Sequence, residues 1–291
     1  MSFMELLQAK WDEGKFVCVG LDPDYSKIPQ HIKDMYPLTK DDDAEAIIIA
    51  KVAAIEIFLF EIIDLTANFV CAYKPNAAFF ERYGWQGVQL LEKVINYIKS
   101  YCEDVPVILD AKRGDIGNTN DGYVEAAFDV MGADAITVHP YMGQESLKPF
   151  LDRADKGVIV LCRTSNSGAG EFQNEDLGNA ALYEQVAINV AKSWNKNGNC
   201  AVVVGATAPE ELASVRKLVG DIPILIPGVG AQGGKIEDVV PVGVNSRSQG
   251  ILINLSRNVL YASPGEDYAM AARLIVEQSN DAILTAGAKG I

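Results

Sequence analysis

Basic charge, histidine and patterned cysteine are all scarce in this 291-residue chain, and each scarcity closes off a class of function. Lys and Arg number 25 against 39 Asp and Glu, a formal net charge of −14 at pH 7, which repels nucleic acid and anionic membrane at long range. An anionic small molecule must then be captured by local basic groups. The two histidines, His31 and His139, and the five cysteines at 18, 71, 102, 162 and 200 form no CxxC pair and no metal-ligand spacing. Neither a required metal nor a disulfide framework is expected, and four of the cysteines sit in strand-like runs as small buried hydrophobes. There is no P-loop, no Ser-His-Asp arrangement and no basic aromatic stripe. The most apolar segment, 46–63, is interrupted by Lys51, Glu56 and Glu61, which a lipid-spanning helix rarely tolerates, so it reads as a buried amphipathic helix. Residues 1–15 carry Glu5, Lys10, Asp12 and Glu13 through every apolar stretch; they do not read as a targeting signal, and a cytoplasmic location is the expectation.

What the sequence does contain is alternation. Hydrophobic residues make up 49% of the chain, and eight short runs rich in branched residues, each bounded by Gly, Pro or Asp, fall at 16–22, 69–74, 106–110, 135–138, 157–162, 200–205, 222–227 and 250–254. Helical patterns lie between them; Val88, Leu91, Val94, Ile95 and Ile98, for example, make one apolar helix face. Continuous apolar strands such as Val158-Ile159-Val160-Leu161 suit a parallel sheet covered on both faces by right-handed crossovers. Eight units close into a (β/α)8 TIM barrel, an α/β fold that at roughly 250 residues forms one domain, here 1–291. An open doubly wound sheet is the rival, disfavoured by the strand count and by the absence of an early GxGxxG turn. The polar connection 24–43 has room for an extra turn.

A barrel carries its chemistry where the strands end. The third run ends in Asp110-Ala111-Lys112-Arg113-Gly114-Asp115, and the strand period of two puts Asp110 and Lys112 on one face. Gly114 permits a sharp turn that directs Asp115 toward the same mouth or away from it. The bland reading is a solvated ion pair on a turn; position at a barrel strand end argues for catalysis instead. Asp22 follows the first run and Lys74 ends the second, with an ordinary turn acid and a snorkelling strand-end lysine as their respective bland readings. After the seventh run comes Pro227-Gly228-Val229-Gly230-Ala231-Gln232-Gly233-Gly234, and after the eighth Asn254-Leu255-Ser256-Arg257. Glycines that let backbone N–H groups approach an anion, the Gln232 amide, Ser256 at the start of a short helix and the forked Arg257 guanidinium together suit a phosphate. A flexible surface turn is the alternative for the glycines alone. The fifth run leads into 163–170, where Ser165 and its hydroxyl and amide neighbours can read a polar ring or simply form a surface loop. His139 beside Pro140 is read as structural.

The 110–119 segment, together with Val19-Gly20-Leu21-Asp22-Pro23 and the glycine-rich loop 227–233, closely resembles the orotidine 5′-phosphate decarboxylase family over almost the whole chain, and Tyr73-Lys74-Pro75-Asn76 with the long connection after the first run resembles its longer bacterial branch. The resemblance implies a cofactor-free carboxy-lyase that converts orotidine 5′-monophosphate to uridine 5′-monophosphate and CO₂ in pyrimidine biosynthesis. It gives Lys112 the role of stabilising and then protonating the ring carbanion, Asp110 that of pressing on the substrate carboxylate and orienting Lys112, and Asp115 that of completing the charged array. It further implies that Asp115 and Thr119 come from the neighbouring subunit of a homodimer with a shared active site. Asp22 and Lys74 match residues holding the ribose hydroxyls, Ser165 one that reads the pyrimidine, and Gln232 and Arg257 the phosphate grip. Ser167 stands where many relatives carry Pro, which affects the loop after the fifth strand. Two other readings stay open: a Mg²⁺-dependent decarboxylase of a sugar phosphate such as a keto-gulonate phosphate, and a non-catalytic uridine-phosphate-binding protein.

Overall fold

A computed structural model describes residues 1–230 and 232–287. All eight expected strands are present: β1 (Val17–Leu21), β2 (Ala72–Pro75), β3 (Ile108–Arg113), β4 (Ala135–Val138), β5 (Gly157–Arg163), β6 (Cys200–Val204), β7 (Ile224–Pro227) and β8 (Ile251–Leu255). They pair in parallel in the order β2-β1-β8-β7-β6-β5-β4-β3. Bridges Tyr73↔Val107 and Asn76↔Asp110 join β2 to β3, so the sheet closes into a barrel, and helices lie on the crossovers.

The strands are apolar on both faces because one faces the barrel interior and the other the helical ring. In the parallel ladder, partners in register point the same way. Cys18↔Asn254 and Pro227↔Asn254 therefore share the interior, as do Gly20↔Lys74 one step higher. The N-terminal helix Phe3–Asp12, closed by a reciprocal cap between Ser2 and Glu5, packs at the base of β5. A Cβ on Gly157 would stand 2.2 Å from the Phe3 ring, so the small residue there makes room for Phe3. The C-terminal helix Tyr268–Gly287 is latched from within by Asn280, whose Oδ1 accepts the N–H groups of Phe16 and Val17 while its Nδ2 donates to Phe69 O.

The apolar segment 46–63 lies inside the helix Ala44–Thr66, which buries one side against its neighbours; among the described residues no helix is long and apolar enough to cross a membrane. The connection 24–43 holds a short turn, Tyr25–Lys27, and the helix Gln30–Met35. All five cysteines are free thiols; Cys18, Cys162 and Cys200 lie in strands and Cys71 abuts β2.

Two expectations need correction. Val88 lies off the buried face of the helix Gly84–Tyr101 and is exposed. Gly87 takes that place because the helix presses so closely on the preceding turn that a Cβ there would meet Phe80 O at 2.0 Å. Strand β3 also runs past Asp110 to Arg113, and its register against β4 shifts between Leu109 and Arg113. Asp110 and Lys112 thus converge through a bulge, with Lys112 at φ 48°, rather than through regular alternation.

Candidate active site

The C-terminal ends of the strands surround a cavity of about 630 Å³, a size suited to a small-molecule ligand. Asp22, Lys74, Asp110, Lys112, Ser165, Gln232, Ser256 and Arg257 all line it. The strand ends that sequence reasoning singled out therefore meet in one place, as the closed barrel requires.

At its floor lies a charged array. Lys74 is only 3% exposed, and its Nζ donates to Asp110 Oδ2 at 2.9 Å. Lys112 Nζ donates to the other oxygen, Oδ1, at 2.7 Å. Lys74 does not snorkel to solvent: parity with Gly20 turns it inward, onto a carboxylate it can pair with. Burial opposes ionisation of Asp110, but Lys74 and then Lys112 outweigh it and hold the carboxyl well below the usual carboxylate range. Burial likewise works against the charge on Lys74, and Asp110 followed by Asp22 overcomes it, raising the ammonium above its ordinary value. Asp110 and Lys74 thus each favour the charged form of the other. Asp22 stands beside it with Oδ1 buried and without a hydrogen-bond partner, an acceptor suited to a ligand hydroxyl.

Two residues to which the sequence assigned no role complete the carboxylate's surroundings. Thr137 Oγ1 donates to Asp110 Oδ1 at 2.8 Å and Asn76 Nδ2 to Oδ2 at 3.3 Å. Asn76 was legible as the next inward position after Lys74; Thr137 had no charge to draw notice. Tyr261 was missed as well. Its hydroxyl accepts the Asp24 N–H at 2.6 Å and donates to Asp22 O at 3.4 Å, tying down the loop that carries Asp22. Asn254, with Oδ1 buried and unpartnered, also faces the cavity.

The opposite side of the cavity is built from close backbone approaches. Ser256 stands at the N-terminal boundary of the short helix Arg257–Leu260 without a side-chain capping bond, and its Oγ occupies the space a Cβ on Gly20 would need, at 1.9 Å. The loop after β7 folds back on itself, with Gly230 N–H donating to Gly234 O and Gly233 N–H to Gly230 O, which leaves Gln232 lining the cavity. Ala231 of that loop lies outside the described residues. Arg257 is exposed at the mouth and makes no ion pair among the described residues. Ser165 lies against the end of β6, where a Cβ on Gly205 would stand 2.7 Å from it. Ser167 is exposed and begins a single 3₁₀ turn, Ser167–Ala169.

Asp115 and Thr119 do not line the cavity of their own chain; of the two directions that Gly114 leaves open to Asp115, the chain takes the one away from Asp110 and Lys112. After Gly114 the chain turns outward into the helix Gly117–Val124. Buried Asn120 pins it there, accepting the Asp115 N–H and donating to Asp115 O and Ser146 O. The Asp115 carboxylate instead accepts the N–H of Ile116, and Thr119 is exposed on the first turn of that helix. His139 supports the same departure from below, with Nε2 2.9 Å from Gly114 O, and does not line the cavity. Among the described residues no group of three or more His, Cys, Asp or Glu is arranged to hold a metal ion.

Comparison with known proteins gives a consistent picture. The chain is 47% identical over 284 residues to the orotidine 5′-phosphate decarboxylase of Janthinobacterium sp. (strain Marseille), covering 97% of this chain and 98% of that one. Among solved structures, the OMP decarboxylase of Leishmania donovani superposes with a TM-score of 0.80 at 37% identity, covering 98% of this chain and 99% of that one. The UMP synthase of the same organism gives 0.84 at 37% identity, where this chain, 98% covered, spans about half (56%) of the longer protein. Residues 15–272 match the family described as orotidine 5′-phosphate decarboxylase / HUMPS. On a match of that length, laid over a barrel whose strand ends carry Lys74, Asp110 and Lys112, the chain belongs to the orotidine 5′-phosphate decarboxylase / HUMPS family.

Proposed function

We propose that the protein is a carboxy-lyase that decarboxylates orotidine 5′-monophosphate to uridine 5′-monophosphate in pyrimidine biosynthesis, without a cofactor, in a single barrel domain spanning 1–291. The observation that carries this reading is the Lys74–Asp110–Lys112 array at the cavity floor, in which each ammonium bonds one oxygen of the same carboxylate. Loss of CO₂ leaves a carbanion on the ring carbon, and Lys112, hydrogen-bonded to Asp110 but half exposed to the cavity, stabilises that charge and then supplies its proton. Asp110, kept ionised by its cations, faces the departing carboxylate. Asp22 and Lys74 hold the ribose hydroxyls, Ser165 reads the pyrimidine edge, and Gln232, Ser256 and Arg257 grip the phosphate.

One cation about 4 Å from a carbanion at an effective dielectric near 20 contributes roughly 4 kcal/mol, whereas reactions this slow call for on the order of 20 kcal/mol. Binding energy from the remote phosphate and ribose must therefore be spent on fixing the charges and excluding water. Asp115 and Thr119 complete the site of a second copy in a homodimer, which is consistent with their pointing away from the cavity of their own chain. A Mg²⁺-dependent sugar-phosphate decarboxylase fits less well, because the oxygens of Asp110 already receive Lys74, Lys112, Thr137 and Asn76.

The test follows the ultraviolet absorbance of orotidine 5′-monophosphate with wild type and Lys112→Ala, with and without EDTA. Turnover by wild type that is insensitive to EDTA and is abolished in the variant is the expected result. Chelator-sensitive turnover overturns the cofactor-free reading, and binding without consumption overturns the enzymatic one.

A further inference from the structure

We infer that Thr137, at the centre of β4, is a positioning residue for Lys112: its single hydroxyl clips the bulged end of β3 and so aims the ammonium into the cavity. This rests on the proton-donor role proposed above for Lys112. In the β3–β4 ladder, Leu109 pairs with Ile136 and Arg113 with Val138. Three residues of β3, Asp110 to Lys112, therefore span the length that β4 covers with Thr137 alone. Such an arch leaves a backbone N–H without a ladder partner, and Thr137 supplies one, its Oγ1 accepting the Lys112 N–H at 2.9 Å.

The same hydroxyl spends its one proton on Asp110 Oδ1 at 2.8 Å, the oxygen that also receives Lys112 Nζ at 2.7 Å. Backbone and side chain of Lys112 are thereby tied to one point from two ends. Thr137 is 1% exposed, so water does not compete for either bond. Lys112 needs this hold because φ is 48°, the left-handed region that residues with a side chain rarely occupy. Without an acceptor the Lys112 N–H is stranded, the backbone has reason to leave that region, and Nζ moves away from the reacting carbon. His139, two residues on, holds the far end of the same arch: its own N–H donates to Arg113 O. Thr137 is the member that touches both charged residues.

The test compares Thr137→Val, nearly the same shape without the hydroxyl, and Thr137→Ser, which keeps it, with wild type. Expected for Thr137→Val is a fall in kcat of about tenfold to a hundredfold, the scale for misplacing a reacting group by about 1 Å. The dissociation constant of uridine 5′-monophosphate should change little, because the phosphate and ribose contacts are untouched, and Thr137→Ser should recover most of the lost kcat. Should Thr137→Val fail to fold, Thr137→Cys, with a weak donor and acceptor in the same place, carries the comparison. A kcat in the hydroxyl-free variant equal to that of wild type overturns the inference. So does a loss shared equally by product binding or by Thr137→Ser. Absence of turnover in wild type instead overturns the underlying function, so the two failures are distinguishable.

Discussion

Lys74→Met isolates the physics of the buried pair. At 2.9 Å and an effective dielectric near 20, the Lys74–Asp110 attraction is about 6 kcal/mol before desolvation is charged against it. Removing one partner of a buried pair costs about 3–5 kcal/mol, because the other charge stays behind uncompensated. Asp110 keeps Lys112, Thr137 and Asn76, which points to the lower end, about 3 kcal/mol, and a fall in Tm of roughly 5–10 °C.

The sign with pH separates charge from packing. In wild type the Asp110 pKa is depressed, so its contribution is present above the unfolded value of about 4 and is lost as pH falls through the folded one. The Lys74 pKa is raised, so its contribution is complete below about 10.4 and is lost only as pH rises through the higher folded value. Removing Lys74 lets the Asp110 pKa rise, so acid relieves the variant while it weakens wild type. Urea unfolding midpoints at about pH 7.5, 5 and 3, converted with the measured slopes, should therefore show a stability gap that is steady above about pH 5 and narrows toward pH 3. A gap that is independent of pH, or smaller than about 1 kcal/mol, refutes the assignment of the cost to an orphaned carboxylate.

Arg257→Ala should lower kcat/KM for orotidine 5′-monophosphate by about two to three powers of ten, from the loss of one or two charge-assisted hydrogen bonds at about 1.5–3 kcal/mol each; unchanged steady-state kinetics refute the phosphate assignment. Mixing separately purified Lys112→Ala and Asp115→Ala proteins under subunit exchange should restore about a quarter of wild-type activity if each site joins Lys112 of one copy to Asp115 of the other, since half of the dimers are hybrids with one intact site. No recovery by the mixture refutes the shared site.

The barrel was legible because its signal is local. Each strand is buried on both faces and reads as a short branched run closed by Gly, Pro or Asp, and all eight runs overlap the observed strands. The cavity residues were legible for a related reason: a parallel barrel gathers the ends of its strands at one mouth, so Asp22, Lys74, Asp110 and Arg257 needed only their positions within or just beyond the C-terminal part of a strand. The direction a side chain takes once the chain leaves that regular frame was another matter. Lys74 reads equally as a snorkelling lysine until the carboxylate of Asp110, 36 positions along the chain, stands beside it. Asp115 lies five residues after Asp110, yet Asn120 carries it out of the cavity through bonds to backbone groups that no spacing rule records.

By itself, then, the order of residues determined the number of strands, the end of the barrel at which the cavity lies and the kinds of charge gathered there, because periodicity and strand termini act over a few neighbours at a time. Tertiary structure alone decided that Lys112 reaches Asp110 through a bulge, that Thr137 fills that bulge, and that Asp115 faces outward. Those outcomes depend on which atoms of distant strands satisfy one another's hydrogen bonds when the barrel closes.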